Sequence, residues 1–282
     1  MSVSDTPADT PADTAANAAA PADAENRVHV ERDGPVAVAT LDAPAYRNSM
    51  GAPGIRDGLA AAIAAFEADP DQRAFVLTGA GGVFSAGGNL RALREIRDED
   101  AMRARIRGAD GLVGTMLKSP KLYLAAVEGP AFGAALGLVS GADYAIASEG
   151  AKFCAAQVKV GASPDGGLFW TLPLRIGRAA ARRTLLTGED IGAARAHALG
   201  LVDEVVPDGT ALEATVKAAH RLARGAPRAQ ATVKRFFADD LAGRDAVLEW
   251  ERETAIANFL TADFQEGASA FLEKRRPVFR GE

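Results

Sequence analysis

Two glycine-rich stretches, each at the end of an apolar strand-like run, constrain this chain more than any other feature. The first is Leu77-Thr78-Gly79-Ala80-Gly81-Gly82-Val83-Phe84-Ser85-Ala86-Gly87-Gly88-Asn89-Leu90. The second is Val127-Glu128-Gly129-Pro130-Ala131-Phe132-Gly133-Ala134-Ala135-Leu136-Gly137. Each leads into a helical pattern, so each delivers small-residue backbone to a strand's carboxyl end, where amides can be aimed at a ligand. Two N–H donors meeting one carbonyl oxygen stabilise the charge that develops on it, commonly by a few kcal/mol per donor. The pair points to a site that stabilises an oxyanion or enolate.

The surrounding pattern predicts an α/β fold. Val28–Val30 and Pro35–Leu41 alternate as two antiparallel strands joined at Asp33-Gly34. Apolar residues at helical spacing (Ile55, Leu59, Ile63, Phe66) precede a buried strand, Ala74-Phe75-Val76-Leu77. The unit repeats as a helix over 101–117, a strand over 122–127, a helix over 132–140 and a strand over 144–147. Such alternation implies a mostly parallel sheet with crossover helices. Beyond Phe153 the pattern turns helical, over 179–186, 191–198, 211–224, 227–237, 246–260 and 262–274, with one strand over 201–206. Gly225 and Pro227 are the stop and start signals between two of these helices.

Composition excludes several classes. A 282-residue chain that is 48% hydrophobic has enough apolar material for a substantial core. Its formal net charge of −5 argues against general nucleic-acid binding. The single cysteine, Cys154, rules out an internal disulfide and a cysteine-based metal cluster, and fits a reducing cytoplasmic setting. Residues 1–26 form a Thr/Pro/Ala/Asp-rich tail with almost nothing to bury, so disorder is expected there, and no signal-peptide pattern is present. No run reaches the roughly 18 apolar residues that a membrane span requires. A dinucleotide fingerprint would need its third glycine at position 84, which is Phe84, and no Gly-Lys-Ser/Thr phosphate loop occurs. Glycines alone most often make turns. Two such loops at equivalent points of successive units favour a shared site.

Phe84-Ser85-Ala86-Gly87-Gly88-Asn89-Leu90, Ala125-Ala126-Val127-Glu128-Gly129 with the small residues to Ala135, Gly141-Ala142-Asp143-Tyr144 and Ser163-Pro164-Asp165-Gly166-Gly167 together resemble the enoyl-CoA hydratase/isomerase (crotonase) superfamily. Pro44-Ala45-Tyr46-Arg47-Asn48-Ser49-Met50 and Phe271-Leu272-Glu273-Lys274-Arg275 extend the likeness to nearly the whole chain beyond the tail. The resemblance implies a ββα spiral core over 27–205 and a C-terminal helical region over 206–282 that serves trimerisation and covers coenzyme A. It implies homotrimers or homohexamers, acyl-CoA thioester substrates and no further cofactor or metal. Carried over by position, the oxyanion donors are the backbone amides of Gly88 and Ala134. Ala134 stands where relatives have glycine, and its amide serves provided its φ is negative.

The two glutamates with which hydratases of the superfamily handle water fall on Gly137 and Gln157, neither of which can titrate. General acid–base help is worth about two to four orders of magnitude, so plain hydratase activity should be weak or achieved differently. One carboxylate remains in the implied pocket, Asp165. A single base suffices for a 1,3-proton shift, which favours a double-bond isomerase. A hydratase or ring-opening hydrolase using Gln157 and Asp165 with water, and a silent acyl-CoA-binding relative, stay open. So does a purely structural Asp165 that caps a helix beginning near Gly166.

For the coenzyme A portion the resemblance assigns Arg47, Ala86, Gly88, Asn89, Leu90, Arg91, Phe271 and Lys274. Phe84, Leu136, Phe169 and Trp170 either shape the acyl pocket or pack the core. Glu128 and Asp143 read as structural or solvated, as do the scattered His29, His197 and His220. Cys154, beside Phe153 on an apolar strand, reads as a buried inert thiol.

Overall fold

The computed structural model describes residues 26–239 and 243–282. The tail expected to be disordered therefore lies, but for its last residue, outside the described residues. The chain enters through an antiparallel pair, β1 (Arg27–Asp33) and β2 (Val36–Asp42). Asp33 pairs with Val36, so the two-residue loop is Gly34-Pro35, one position beyond the expected turn. Next come α1 (Ile55–Ala68), β3 (Ala74–Gly79), α2 (Leu90–Glu95) and α3 (Glu99–Lys118). β4 (Leu122–Val127), β5 (Pro130–Phe132), α4 (Ala134–Ser140), β6 (Tyr144–Ser148) and β7 (Lys152–Cys154) follow. The remainder is α5 (Leu168–Thr187), β8 (Ile191–Gly192), α6 (Ala193–Leu199), β9 (Glu204–Val206), α7 (Ala211–Ala223), α8 (Pro227–Ala238), α9 (Arg244–Phe259) and α10 (Ala262–Leu272).

Two sheets organise these elements. Strands β1-β2-β3-β4-β6-β9 form one, parallel from β2 onward, and β5-β7-β8 form a second. A few residues after leaving the first sheet the chain adds a short strand to the second: β4 is followed by β5, and β6 by β7. The same step follows β3, because Ser85 pairs in parallel with Ala131 of β5. The result is a repeating strand–strand–helix spiral, the expected ββα core. The second sheet was not legible in the sequence beyond the apolar Phe153-Cys154 pair. Three-residue strands carry no measurable period, which is why 130–131 reads as loop there and Phe132 as the start of a helix.

The period-two rule of a strand is visible in how the first sheet buries its faces. Ala37, Phe75, Leu77, Tyr123, Ala125, Val127 and Ala145 face a large core that also takes Ile55, Leu59, Ile63 and Phe66 of α1. Their neighbours Val36, Ala74, Val76, Leu124, Ala126 and Ile146 face the other way and are covered by Ala218, Ala219 and Ala223 of α7. Small residues let α7 lie close to the strands. Phe66, Phe75 and Tyr123 pack ring on ring, with centroids 5.2–5.5 Å apart.

Two helical boundaries differ from the sequence expectation. The helix expected over 179–186 begins at Leu168, with Gly177 (φ +74°) as a kink between its two halves. Pro173 and Gly177 mask the first half in sequence, although its buried Leu168, Leu172 and Ile176 keep helical spacing. The segment over 191–198 divides into β8 and α6. Among the described residues no helix is long and apolar enough to cross a membrane.

Phe75→Ala is expected to lower the free energy of unfolding by about 3–5 kcal/mol in a denaturant titration, because it removes a fully buried ring from this cluster. A loss below 1 kcal/mol would contradict this account of the core.

Candidate active site

The parallel pairing of Ser85 with Ala131 sets the site, because Gly88 and Ala134 each lie three residues beyond a paired position on adjoining strands. Hydrogen bonds Ser85 N to Pro130 O and Phe132 N to Ser85 O, both 3.0 Å, hold the two segments together. Beyond them the backbones touch. A Cβ on Gly87 would lie 2.3 Å from Phe132 O and 3.4 Å from Gly133 Cα. Gly87 also has φ +82°, so glycine is required there on both counts.

The orientation of each proposed donor follows from peptide planarity. Gly87 O accepts from Ser49 Oγ at 2.7 Å and from Met50 N at 2.8 Å. A planar trans peptide points its N–H opposite to its carbonyl, so the Gly88 N–H faces away from the Ser49–Met50 turn. Likewise Gly133 O accepts from Leu136 N at 3.0 Å, and the Ala134 N–H points outward from the start of α4. Ala134 is helical, with none of the positive φ that would have excluded alanine. Neither amide has a hydrogen-bond acceptor among the described residues.

The first loop is held from behind by the segment containing Asn48. Its buried side chain accepts from Ala43 N at 2.9 Å and donates to Ala80 O and Val83 O at 2.9 and 2.6 Å. Here lies the physical content of the Pro44–Met50 motif: Asn48, Ser49 and Met50 are positioning residues. Arg47 is exposed, and its carbonyl accepts from Ala86 N at 2.9 Å. Asn89 caps α2 by accepting from Ala92 N, while Leu90 and Arg91 lie on that helix's first turn, Leu90 half exposed.

Gln157 and Asp165 come together beside the second loop. Gln157 Nε2 donates to Asp165 Oδ1 at 2.8 Å, and the Gln157 amide faces Gly133, 3.9 Å from where a Cβ would stand. Gln157 Oε1 is buried without a partner. Gly166, next to Asp165, packs on Ala134: its would-be Cβ is 3.1 Å from Ala134 Cα. The Gly166 amide is held in turn by Asp110 Oδ1 at 3.0 Å. The capping reading of Asp165 fails, since the N-cap of α5 is Gly167, with no side-chain cap.

Gly137 is more than a missing glutamate. A Cβ there would sit 1.9 Å from Gly166 O, so the loop carrying Asp165 occupies the space into which a side chain at 137 would grow.

The remaining candidates separate. Phe84 and Leu136 are fully buried core residues, while Phe169 and Trp170 are exposed at 63% and 39%. The C-terminal tail is pinned by Arg73 Nη2 to Phe279 O, at the amino end of β3, opposite the glycine loop. Phe271 is 83% exposed on α10, and Lys274 follows that helix. Glu128 accepts from Gly209 N and Ala211 N at the start of α7, and Asp143 pairs with Lys234 at 2.8 Å, so both are structural. His29 and His220 pair with Asp42 and Asp33. Cys154 donates to Gly188 O, and burial pushes its thiol up to about 11. A cavity of about 740 Å³ lies at the far end of α4, where Lys234–Asp143 and Arg175–Asp203 are already paired with each other, so its size does not make it the chemical centre.

Two expectations follow. Gly137→Ala is expected to cost about 1–3 kcal/mol of stability by forcing the Gly166 carbonyl aside, and an unchanged unfolding midpoint would contradict that contact. Cys154 is expected to stay unmodified by a thiol reagent at pH 7–8 in the native protein and to react on unfolding. Rapid labelling of the folded protein would show the site to be open.

The sequence profile described as enoyl-CoA hydratase/isomerase matches residues 31–282. A probable enoyl-CoA hydratase of Rhodobacter capsulatus is 38% identical over 249 residues, covering 87% of this chain and 95% of that protein. The 1,2-epoxyphenylacetyl-CoA isomerase of Escherichia coli is 34% identical over 259 residues, covering 90% and 97%. Among solved structures, an enoyl-CoA hydratase from Polaromonas superposes with a TM-score of 0.84 at 36% identity, covering 90% of this chain and 99% of the other. A ββα spiral with this loop geometry, matched over nearly all of the folded chain, places the protein in the enoyl-CoA hydratase/isomerase family.

Proposed function

We propose that the protein is an acyl-CoA double-bond isomerase. The Gly88 and Ala134 N–H groups donate to the thioester carbonyl oxygen, and Asp165 removes a proton from C2 of a 3-enoyl thioester. The electron pair moves onto the oxygen as a dienolate, the C3=C4 bond becomes C2=C3, and the same carboxyl returns the proton at C4. Coenzyme A takes part only as the substrate's own carrier. In this reading Arg47 and the segment 86–91 hold the carrier, and exposed Phe271 and Lys274 cover its nucleotide in a neighbouring subunit of a trimer or paired trimer.

The observation that carries the reading is the place of Asp165, beside a glycine that rests on Ala134. Its Oδ1 is oriented by Gln157, and its other oxygen has no partner among the described residues. Asp110, the other nearby carboxylate, holds the Gly166 amide instead. The Gly166 carbonyl standing where a first glutamate would grow adds support, since two-carboxylate water activation loses its position and not only its residue. Relatives named as isomerases stand beside relatives named as hydratases, so the family accommodates this choice.

One observation favours water chemistry as the second reading: the orphaned Gln157 Oε1 is an acceptor for a water proton. A single assay separates the two. With 3-enoyl-CoA, growth of the conjugated-thioester absorbance is expected, falling about 10²- to 10⁴-fold in Asp165→Asn. Unchanged isomerisation in that variant would remove Asp165 from the reaction. Rapid loss of the same band from 2-enoyl-CoA, with 3-hydroxyacyl product, would replace the isomerase by the hydratase.

A further inference from the structure

Arg105, on α3, entered none of the assignments above, yet its guanidinium reaches the first loop. A Cβ on Gly51 would lie 2.9 Å from Arg105 Nη2, 2.7 Å from Asn89 N and 2.5 Å from Asn89 Cβ. Arginine and loop backbone therefore close on one point, and only the absent side chain at 51 lets them. Asn89 N is the next amide after the proposed donor Gly88.

The guanidinium makes little use of protein partners where it stands. It is half-buried, and its side chain's one hydrogen bond among the described residues is Nη1 to Met50 O, at 3.4 Å. Asp165 acts on it through space but forms no ion pair with it within 4 Å. Arg56, lying along α3 against Gly108, adds a second positive charge, and Asp57 takes that arginine's Nε at 3.1 Å. Burial, followed by the Arg56 charge, lowers the Arg105 pKa, while Asp165 and Asp57 raise it. A planar cation with most of its five donors unused, partly removed from water, is suited to a bidentate carboxylate.

We infer that Arg105 determines specificity at this site, and that the acyl group taken up ends in a carboxylate held by its guanidinium. The inference rests on the loops being an acyl-thioester site. One residue of backbone separates the Gly88 and Asn89 amides, so the Arg105 donors lie within about 9 Å of the Gly88 nitrogen. That bound, with a hydrogen bond at each end, limits the acyl group to a short chain, for which a five-carbon diacid is the probe.

The test is titration calorimetry with two saturated, unreactive thioesters, glutaryl-CoA and pentanoyl-CoA, which share a chain length and differ in the terminal carboxylate. The wild-type protein is expected to bind glutaryl-CoA at least tenfold more tightly. In Arg105→Met the ratio is expected to fall to about one, and in Arg105→Lys to an intermediate value, since a point charge replaces the fork. Each ratio is internal to one variant, so a partial loss of folded protein cancels. Equal affinities in the wild type, or a ratio that Arg105→Met leaves unchanged, would overturn the inference while leaving the isomerase reading intact. If neither thioester bound, the acyl-CoA reading itself would fall, and the role of Arg105 with it.

Discussion

The close approach of two backbones, Gly87 against Phe132 and Gly133, is the contact on which the rest of the site depends. Main chain can reach main chain at this distance only where side chains are absent, and the Ser85–Ala131 pairing brings the strands into register for it. Once the carbonyls of Gly87 and Gly133 are tied to Met50, Ser49 and Leu136, planarity of the peptide group decides where the next amides point. The orientation is imposed by hydrogen bonds on the opposite edge of the same peptide. One of these bonds comes from a side chain, the Ser49 hydroxyl, and the others from backbone.

A second consequence of close packing concerns the loop that carries Asp165. Gly166 lies against Ala134, and its carbonyl fills the space in front of Gly137. One loop thus supplies a carboxylate and denies another its position. Near Ala134 stand Asp165, oriented by Gln157, and Asp110, engaged with a backbone amide, while half-buried Arg105 approaches from α3. Such a set supports the proposed movement of one proton along an acyl chain.

Much of this was legible in the chain as written. The apolar runs of β3, β4 and β6, the helical period of α1 and the glycine loops after two strands are local signals, and they imply the parallel sheet. Three kinds of feature were not legible. Strands such as β5 and β8 are too short to show a period, so the second sheet was largely missed. The first half of α5 is disguised by Pro173 and Gly177, which read as breaks although tertiary burial of Leu168, Leu172 and Ile176 keeps the turns together. Arg105 sits in an ordinary amphipathic helix pattern, with nothing in its neighbours to distinguish it from a solvated arginine.

By itself the sequence determined which backbone segments are rich in glycine and alanine, a property of residue identity, and its motifs carried the resemblance that implied which carboxylate survives in the pocket and where glutamates are missing. The tertiary structure decided the rest: that Gly137 has no room for a side chain, that Asp165 binds Gln157 instead of capping α5, and that Arg105 reaches Met50 and Gly51 from another helix. The reason is physical. The contacts at Gly137 and Arg105 join residues well apart in the chain, and even the Gln157–Asp165 pair, eight residues apart, depends on packing distances of a few ångströms that local patterning does not encode.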